Sequence, residues 1–252
     1  MNRISKSLSA SLVVIISVSL VLGAGCSKDR KDPPLILPPA PQVIEYGTYA
    51  PNTDKWYMNF NRSGLVSALE TAGMPSQNSD EIVVATVDYL NQYYTGVPIS
   101  FSTRPPAGGH KPFQGDRDPV TQLGSNPYNV IGILGVGGET ALGRAIFDDS
   151  GNNFYIENNS GFSYPLGKYV GVFVNVFAPI FEQSTTDGPD DFARFLAATV
   201  AHEIGHSLGL VHDDGSDHIM NTSTEFNPAI TWSFRAADVT FLNSIMPGQG
   251  RD

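Results

Sequence analysis

Hydrophobic positions alternate with polar ones in some stretches and recur every three or four residues in others, and the two periods mark the elements. Trp56-Tyr57-Met58-Asn59-Phe60 reads as a first strand. Ile82, Val83, Ala85, Thr86, Tyr89, Leu90 and Tyr93 repeat at helical spacing, with Ser79 or Asp80 as the cap and Gly96 as the stop. Val97-Pro98-Ile99-Ser100-Phe101 follows as a strand, and Tyr128 to Val136 and Tyr169 to Phe177 are two more. Residues 102–127, and Asp148 to Ser160, are dense in turn-forming residues and read as loops. A second helix starts at Asp190 or Asp191 and runs to about Leu208. Its Phe192, Phe195, Leu196, Ala197, Ala198, Val200 and Ala201 make it strongly apolar, so it belongs in the interior. Ser233 caps a last helix from about Phe234 to Ile245, which Pro247-Gly248 closes. No repeat of solenoid length is present.

At 252 residues with 41% hydrophobic content, the chain suits one generous domain, or one domain plus a tether. Charged residues are sparse at 16%, while 25 Gly and 18 Pro favour a loop-rich fold over a helical bundle. The net charge of −10 becomes −12 once Arg3 and Lys6 are set aside with residues 1–25, and such a surface repels phosphate backbones. Nucleic acid is therefore not an expected partner. The first residues form a targeting pattern: Arg3 and Lys6, an apolar run from Leu8 to Leu22, then Gly23-Ala24-Gly25-Cys26. This resembles a bacterial lipoprotein signal, which implies that Cys26, the single cysteine, is acylated and begins the mature chain. Gly23 stands where that signal prefers Leu; a plain signal peptide or an uncleaved anchor is the alternative. Residues 27–45, with a charged start and Pro33, Pro34, Pro38, Pro39 and Pro41, read as a semi-rigid tether. The expectation is an exported domain over residues 46–252, monomeric and lipid-anchored to the bacterial cell envelope.

The chemistry lies in His202-Glu203-Ile204-Gly205-His206-Ser207-Leu208-Gly209-Leu210-Val211-His212. Two imidazoles and a carboxylate on a buried helix are costly without a partner, and a metal ion supplies one. His202 and His206, four residues apart, share a helix face and can grip one ion. Glu203 flanks that face and is better placed to reach a water on the ion than the ion itself. Were the helix to continue, His212 would sit about 240° round from His206, so the chain must turn between them. Gly209 supplies that turn, because it takes left-handed dihedrals without a Cβ penalty. Three neutral imidazoles with an open fourth position are the pattern of a catalytic zinc site.

The stretch matches His-Glu-x-x-His-x-x-Gly-x-x-His, the metzincin signature, and Met220 follows His212 by eight residues, as in the matrixin branch. Its first five residues resemble the bacterial dual-action HEIGH metallopeptidases. The resemblance implies an α/β (α+β) fold: a twisted mixed sheet, a backing helix, an active-site helix, and a small C-terminal subdomain ending in a helix. It implies Met220 as the methionine turn beneath the metal. It also implies a zinc endopeptidase acting on proteins or peptides, with one catalytic Zn2+ on His202, His206 and His212 and Glu203 as general base to the attacking water. The rival is a non-catalytic zinc-binding envelope lipoprotein; retention of Glu203 argues against it. Asn221-Thr222 replaces the Tyr-Pro of matrixins, and neither a cysteine-switch propeptide nor the histidines of a second zinc are found, so latency and structural metal do not carry over. Trp232 and Phe234 fall where metzincins wall the pocket for the residue after the scissile bond, or else belong to the core. His218 lines the cleft or fixes the turn, and His110 reads as a loop residue. Asp187, Asp190, Asp191, Asp213, Asp214 and Asp217, with Asp148, Asp149, Asn152 and Asn153, form either a Ca2+ site or a solvated acidic rim.

Overall fold

Alternation along Asp54–Phe60 builds the first strand, β1, whose Asp54, Trp56, Met58 and Phe60 are buried while Lys55, Tyr57 and Asn59 are half-buried on the other face. In the computed structural model the described residues are 44–106, 128–147, 161–163, 167–182, 188–222 and 229–248, all within one compact unit, Ala40–Asp252. Residues 1–43, with Cys26, lie outside the described residues, as do the segments holding His110, Asp148, Asp149, Asn152, Asn153 and Asp187. No helix among the described residues is long and apolar enough to cross a membrane.

Four further strands join β1 in a mixed sheet: β2 (Ile99–Ser102), β3 (Asn129–Leu134), β4 (Gly143–Arg144) and β6 (Lys168–Phe173). Their order is β2-β1-β3-β6-β4, parallel except for β4, which runs antiparallel to β6. The short β5 (Gly161–Ser163) pairs with the beginning of β6. Among the described residues five α-helices complete the fold: α1 (Arg62–Thr71), α2 (Ser79–Tyr93), α3 (Val174–Glu182), α4 (Pro189–Ser207) and α5 (Ala236–Ile245). Trp56, Met58 and Phe60 of the sheet meet Leu65 and Leu69 of α1, Ile82, Val87 and Leu90 of α2, and Phe192, Leu196 and Val200 of α4 in one core. The expected backing helix is α2. Its end is tied to α4 where the buried Tyr94 hydroxyl donates to Ala201 O at 3.1 Å.

Three boundaries differ from the periodic reading. Residues 174–177, expected to continue a strand, start α3 instead. Four-residue spacing puts Phe177 and Phe181 on one side of that helix, where both pack on Phe192 of α4, at 5.8 and 5.1 Å. That packing overrides the strand preference of Val and Phe. α5 starts at Ala236, because Arg235 is its cap and its backbone N–H donates to Asp238 Oδ2 at 3.2 Å. Ser233 pairs with His218 instead of capping. At α2, Asn78 holds the cap position, and Asp80 in the first turn pairs with Arg62 at 2.5 Å. The segment after α5 is strapped to the sheet by the buried Asp54, which accepts from Asn129 Nδ2 at 3.0 Å and Gly248 N at 2.9 Å.

Candidate metal centre

The helix α4 is buried along nearly its whole length, and its small residues Ala197, Ala198 and Ala201 allow close packing of its neighbours. It ends at Ser207 with Leu208 as its C-cap, and Gly209 follows with φ +95°, the left-handed turn expected of it. The turn is closed by hydrogen bonds from Gly209 N to His206 O at 3.0 Å and Leu210 N to Gly205 O at 2.9 Å. It brings His212 back over the helix, with its Nε2 3.2 Å from His202 Nε2 and 3.1 Å from His206 Nε2. Ligand atoms of the three lie within 4.8 Å of one another, and among the described residues no other group of three or more His, Cys, Asp or Glu could hold a metal.

The backbone sets the tautomers. His202 Nδ1–H donates to Ile219 O at 2.7 Å and His206 Nδ1–H to Leu210 O at 2.8 Å. Their Nε2 lone pairs are thereby aimed at the common centre. Burial pushes the His202 pKa down to about 4 and lowers that of His206, so both imidazoles stay neutral and able to ligate. Facing lone pairs about 3 Å apart repel unless a cation lies between them. Tetrahedral zinc with Zn–N near 2.05 Å would hold its nitrogens about 3.3 Å apart, close to what is found here. The donor set fits zinc.

Glu203 is 6% exposed. Burial raises its pKa to about 8, against the opposing field of Arg144, and a divalent cation beside it would pull further in Arg144's direction. Its side chain lies against the backbone of β4: a Cβ built on Gly143 would fall 2.6 Å from Glu203 Oε1. Arg144 is anchored next to it, donating to Tyr169 O at 2.6 Å and pairing with Glu139 at 2.9 Å. Met220 is fully buried, with its sulfur so close to Gly205 that a Cβ there would sit 2.5 Å from Sδ. The sequence reading assigned no role to Gly143 and no packing role to Gly205: the metzincin signature leaves position 205 free, and Gly143 lies on a strand too short to show a period.

The loop between His212 and Met220 is knotted around Asp213, whose side chain is 5% exposed. Its Oδ1 accepts from Gly215 N and from His218 Nδ1, both at 3.0 Å. Its Oδ2 has the Arg235 guanidinium 3.1 Å away, off the line of a hydrogen bond, so that contact is one of charge. His218 thus fixes the turn and also borders the cavity. The Asp190, Asp191 and Asp213 carboxylates are engaged by Tyr89, Arg194 and the His218–Arg235 pair. A cavity of about 650 Å³ adjoins the histidines, lined by Leu142, Gly143, Phe195, Ala198, Thr199, Ile230 and Trp232 among others. Trp232 therefore both walls the cavity and packs in the core, whereas Phe234 packs in the core alone, its ring 4.8 Å from that of Tyr94.

The model of the matrixin family, a peptidase family, matches residues 98–246, from the start of β2 to the end of α5. No curated protein matches the chain.

Proposed function

Because the chain belongs to the matrixin family it is a zinc metallopeptidase in general terms, and we propose that it is an endopeptidase with Glu203 as its general base and His202, His206 and His212 as its metal ligands. The observation that carries this reading is the convergence of three Nε2 atoms beside a buried carboxylate, at the edge of a cavity. Zinc, when bound, supplies a Lewis acid that polarises the scissile carbonyl and lowers the pKa of a water from about 16 towards about 7. The chain's own residues do the rest. The outer edge of β4 offers backbone groups to an extended peptide beside Gly143 and Glu203. Glu203 takes a proton from the attacking water on a carboxylate oxygen and delivers it to the departing amine. Its burial suits this task, since a desolvated carboxylate is a stronger base than one in water. The side chain after the scissile bond enters the cavity between α4 and Trp232. Export, lipid anchoring at Cys26 and a monomeric state are part of the same proposal, and the first two rest on the pattern of residues 1–26.

The test compares Glu203→Gln with His206→Ala for zinc per chain and peptide turnover. Glu203→Gln should keep zinc and fold and lose about 10²–10⁴-fold in turnover. His206→Ala should lose zinc and turnover together. Wild-type turnover in Glu203→Gln would overturn the general-base role. A wild type that holds zinc yet cleaves no peptide in a diverse library would favour a purely zinc-binding protein.

A further inference from the structure

We infer that Arg194, which does not line the cavity, is a positioning residue that clamps the cavity's far wall and thereby selects a long apolar side chain after the scissile bond. The inference rests on the endopeptidase reading above.

The cavity has one regular wall and one irregular wall. The regular wall is α4, which contributes Phe195, Ala198 and Thr199 in the turns before His202. The Thr199 hydroxyl is already spent on Phe195 O at 3.1 Å, so this wall presents an apolar surface with room above Ala198. Facing it, Ile230 and Trp232 lie in neither helix nor strand. At the metal end this segment is fixed by a ladder through Ser233: Ile219 N donates to Ser233 O at 3.0 Å and Ser233 N to Asp217 O at 3.1 Å.

Arg194 fixes the other end. Its Nη1 donates to Ile230 O at 3.2 Å, and its guanidinium lies 5.8 Å from the centre of the Trp232 ring. The opposite arm of the fork, Nη2, is held by Asp191 at 2.8 Å, which aims the group and balances its charge. Trp232 in turn rests on Phe195, with centroids 5.9 Å apart. One planar cation thus joins a carboxylate on α4, a carbonyl on the facing wall and an indole face, a combination that guanidinium geometry permits and a lysine ammonium does not. The separation of Trp232 from α4, and so the width of the slot, is set through this contact. A slot of that lining gains most from a long apolar side chain and little from a small one.

The experiment uses two peptides that differ only after the scissile bond, Leu in one and Ala in the other, with uncleavable reduced-amide versions of both. Specificity constants, calorimetric Kd values for the uncleavable pair, zinc per chain and Tm are measured for wild type, Arg194→Met and Arg194→Lys. Wild type should favour Leu by about 10²-fold, the scale on which an apolar slot discriminates. Arg194→Met should shrink that ratio by about tenfold, through KM and Kd of the Leu peptide, with the Ala peptide and the zinc content unchanged. Arg194→Lys should behave nearly as Met, because it keeps the charge and loses the fork. A ratio that stays within twofold of wild type in Arg194→Met, or an equal loss on both peptides, overturns the clamp. Cleavage without any Leu preference in wild type also overturns it while leaving the endopeptidase reading intact. If instead wild type cleaves neither peptide but binds the uncleavable Leu peptide more tightly, in an Arg194-dependent way, the endopeptidase reading fails and the clamp stands.

Discussion

Replacing Gly143 with alanine is the smallest change that should disable the centre without touching a metal ligand. The added Cβ falls 2.6 Å from both Cγ and Oε1 of Glu203 and 2.8 Å from Cδ. Ordinary contact begins near 3.4 Å, so something must move by about 0.8 Å. Glu203 has little room, being 6% exposed on a helix buried along most of its length. The strand β4 is also held, by Phe173 N to Leu142 O at 2.8 Å and by the ion pair of Arg144 with Glu139. Whichever gives way, the carboxylate and the substrate edge lose their register, and a misplacement of about 1 Å can cost about 10²-fold in rate. Overpacking should also cost about 1–3 kcal/mol of stability. Zinc per chain should stay at the wild-type level, since the atoms nearest the new methyl group belong to Glu203 and not to an imidazole. The assay pairs peptide turnover with zinc content and denaturant unfolding, and adds Gly143→Ala to Glu203→Gln in a double-mutant cycle. If the methyl group acts only through Glu203, it costs no further rate in the Gln background. Full turnover in Gly143→Ala at full zinc, or a full additional loss in the double variant, would refute this reasoning.

Other expectations follow from the same contacts. Gly209→Val puts a β-branched residue at φ +95°, a region closed to it, and should swing His212 away, so that zinc by atomic absorption falls well below one per chain. Asp213→Asn keeps an acceptor for Gly215 N and removes the charge facing His218 and Arg235; zinc affinity, measured by chelator competition, should weaken about 10–100-fold as the loop carrying His212 loosens. Cys26→Ser should move the protein from the membrane fraction to the soluble one, and a wild type that takes up no acyl label and retains residues 1–25 would remove the anchor.

How much of this was legible in the sequence depended on how local the cause was. α2 and the alternating β1 announce themselves because each buries a face that its own residues define, and both lie where expected to within two residues. α4 was equally plain, with a core of small and aromatic residues and a Gly just past its end. The histidine cluster belongs with these: the three imidazoles able to hold a metal and the turn that joins them occupy eleven residues, so helix geometry and one left-handed glycine suffice to bring them together. What stayed hidden was set by partners remote in the chain. α1 has three buried residues among polar and small ones and includes Gly64, so its period was faint. Residues 174–177 carry strand-like side chains, and only the facing Phe192 and Phe195 make them helical. β4 is two residues long, Gly143 and Arg144, and no pattern of two residues is a period.

That division also runs through the function. The residues we propose to bind the metal and move the proton are contiguous, and a motif can describe them. Those that determine where the carboxylate stands and what the cavity admits are not: Gly143 reaches Glu203 from the sheet edge, and Arg194, outside the cavity, reaches Ile230 and Trp232 of its far wall. Two chains sharing the eleven-residue stretch would therefore share zinc binding and the hydrolytic step while differing in substrate. The difference would lie in side chains outside the motif, which only a folded chain brings to the site. For this chain it follows that exchanging Arg194 or Trp232 should change which peptide is cut, whereas exchanging Glu203 should change whether any is cut.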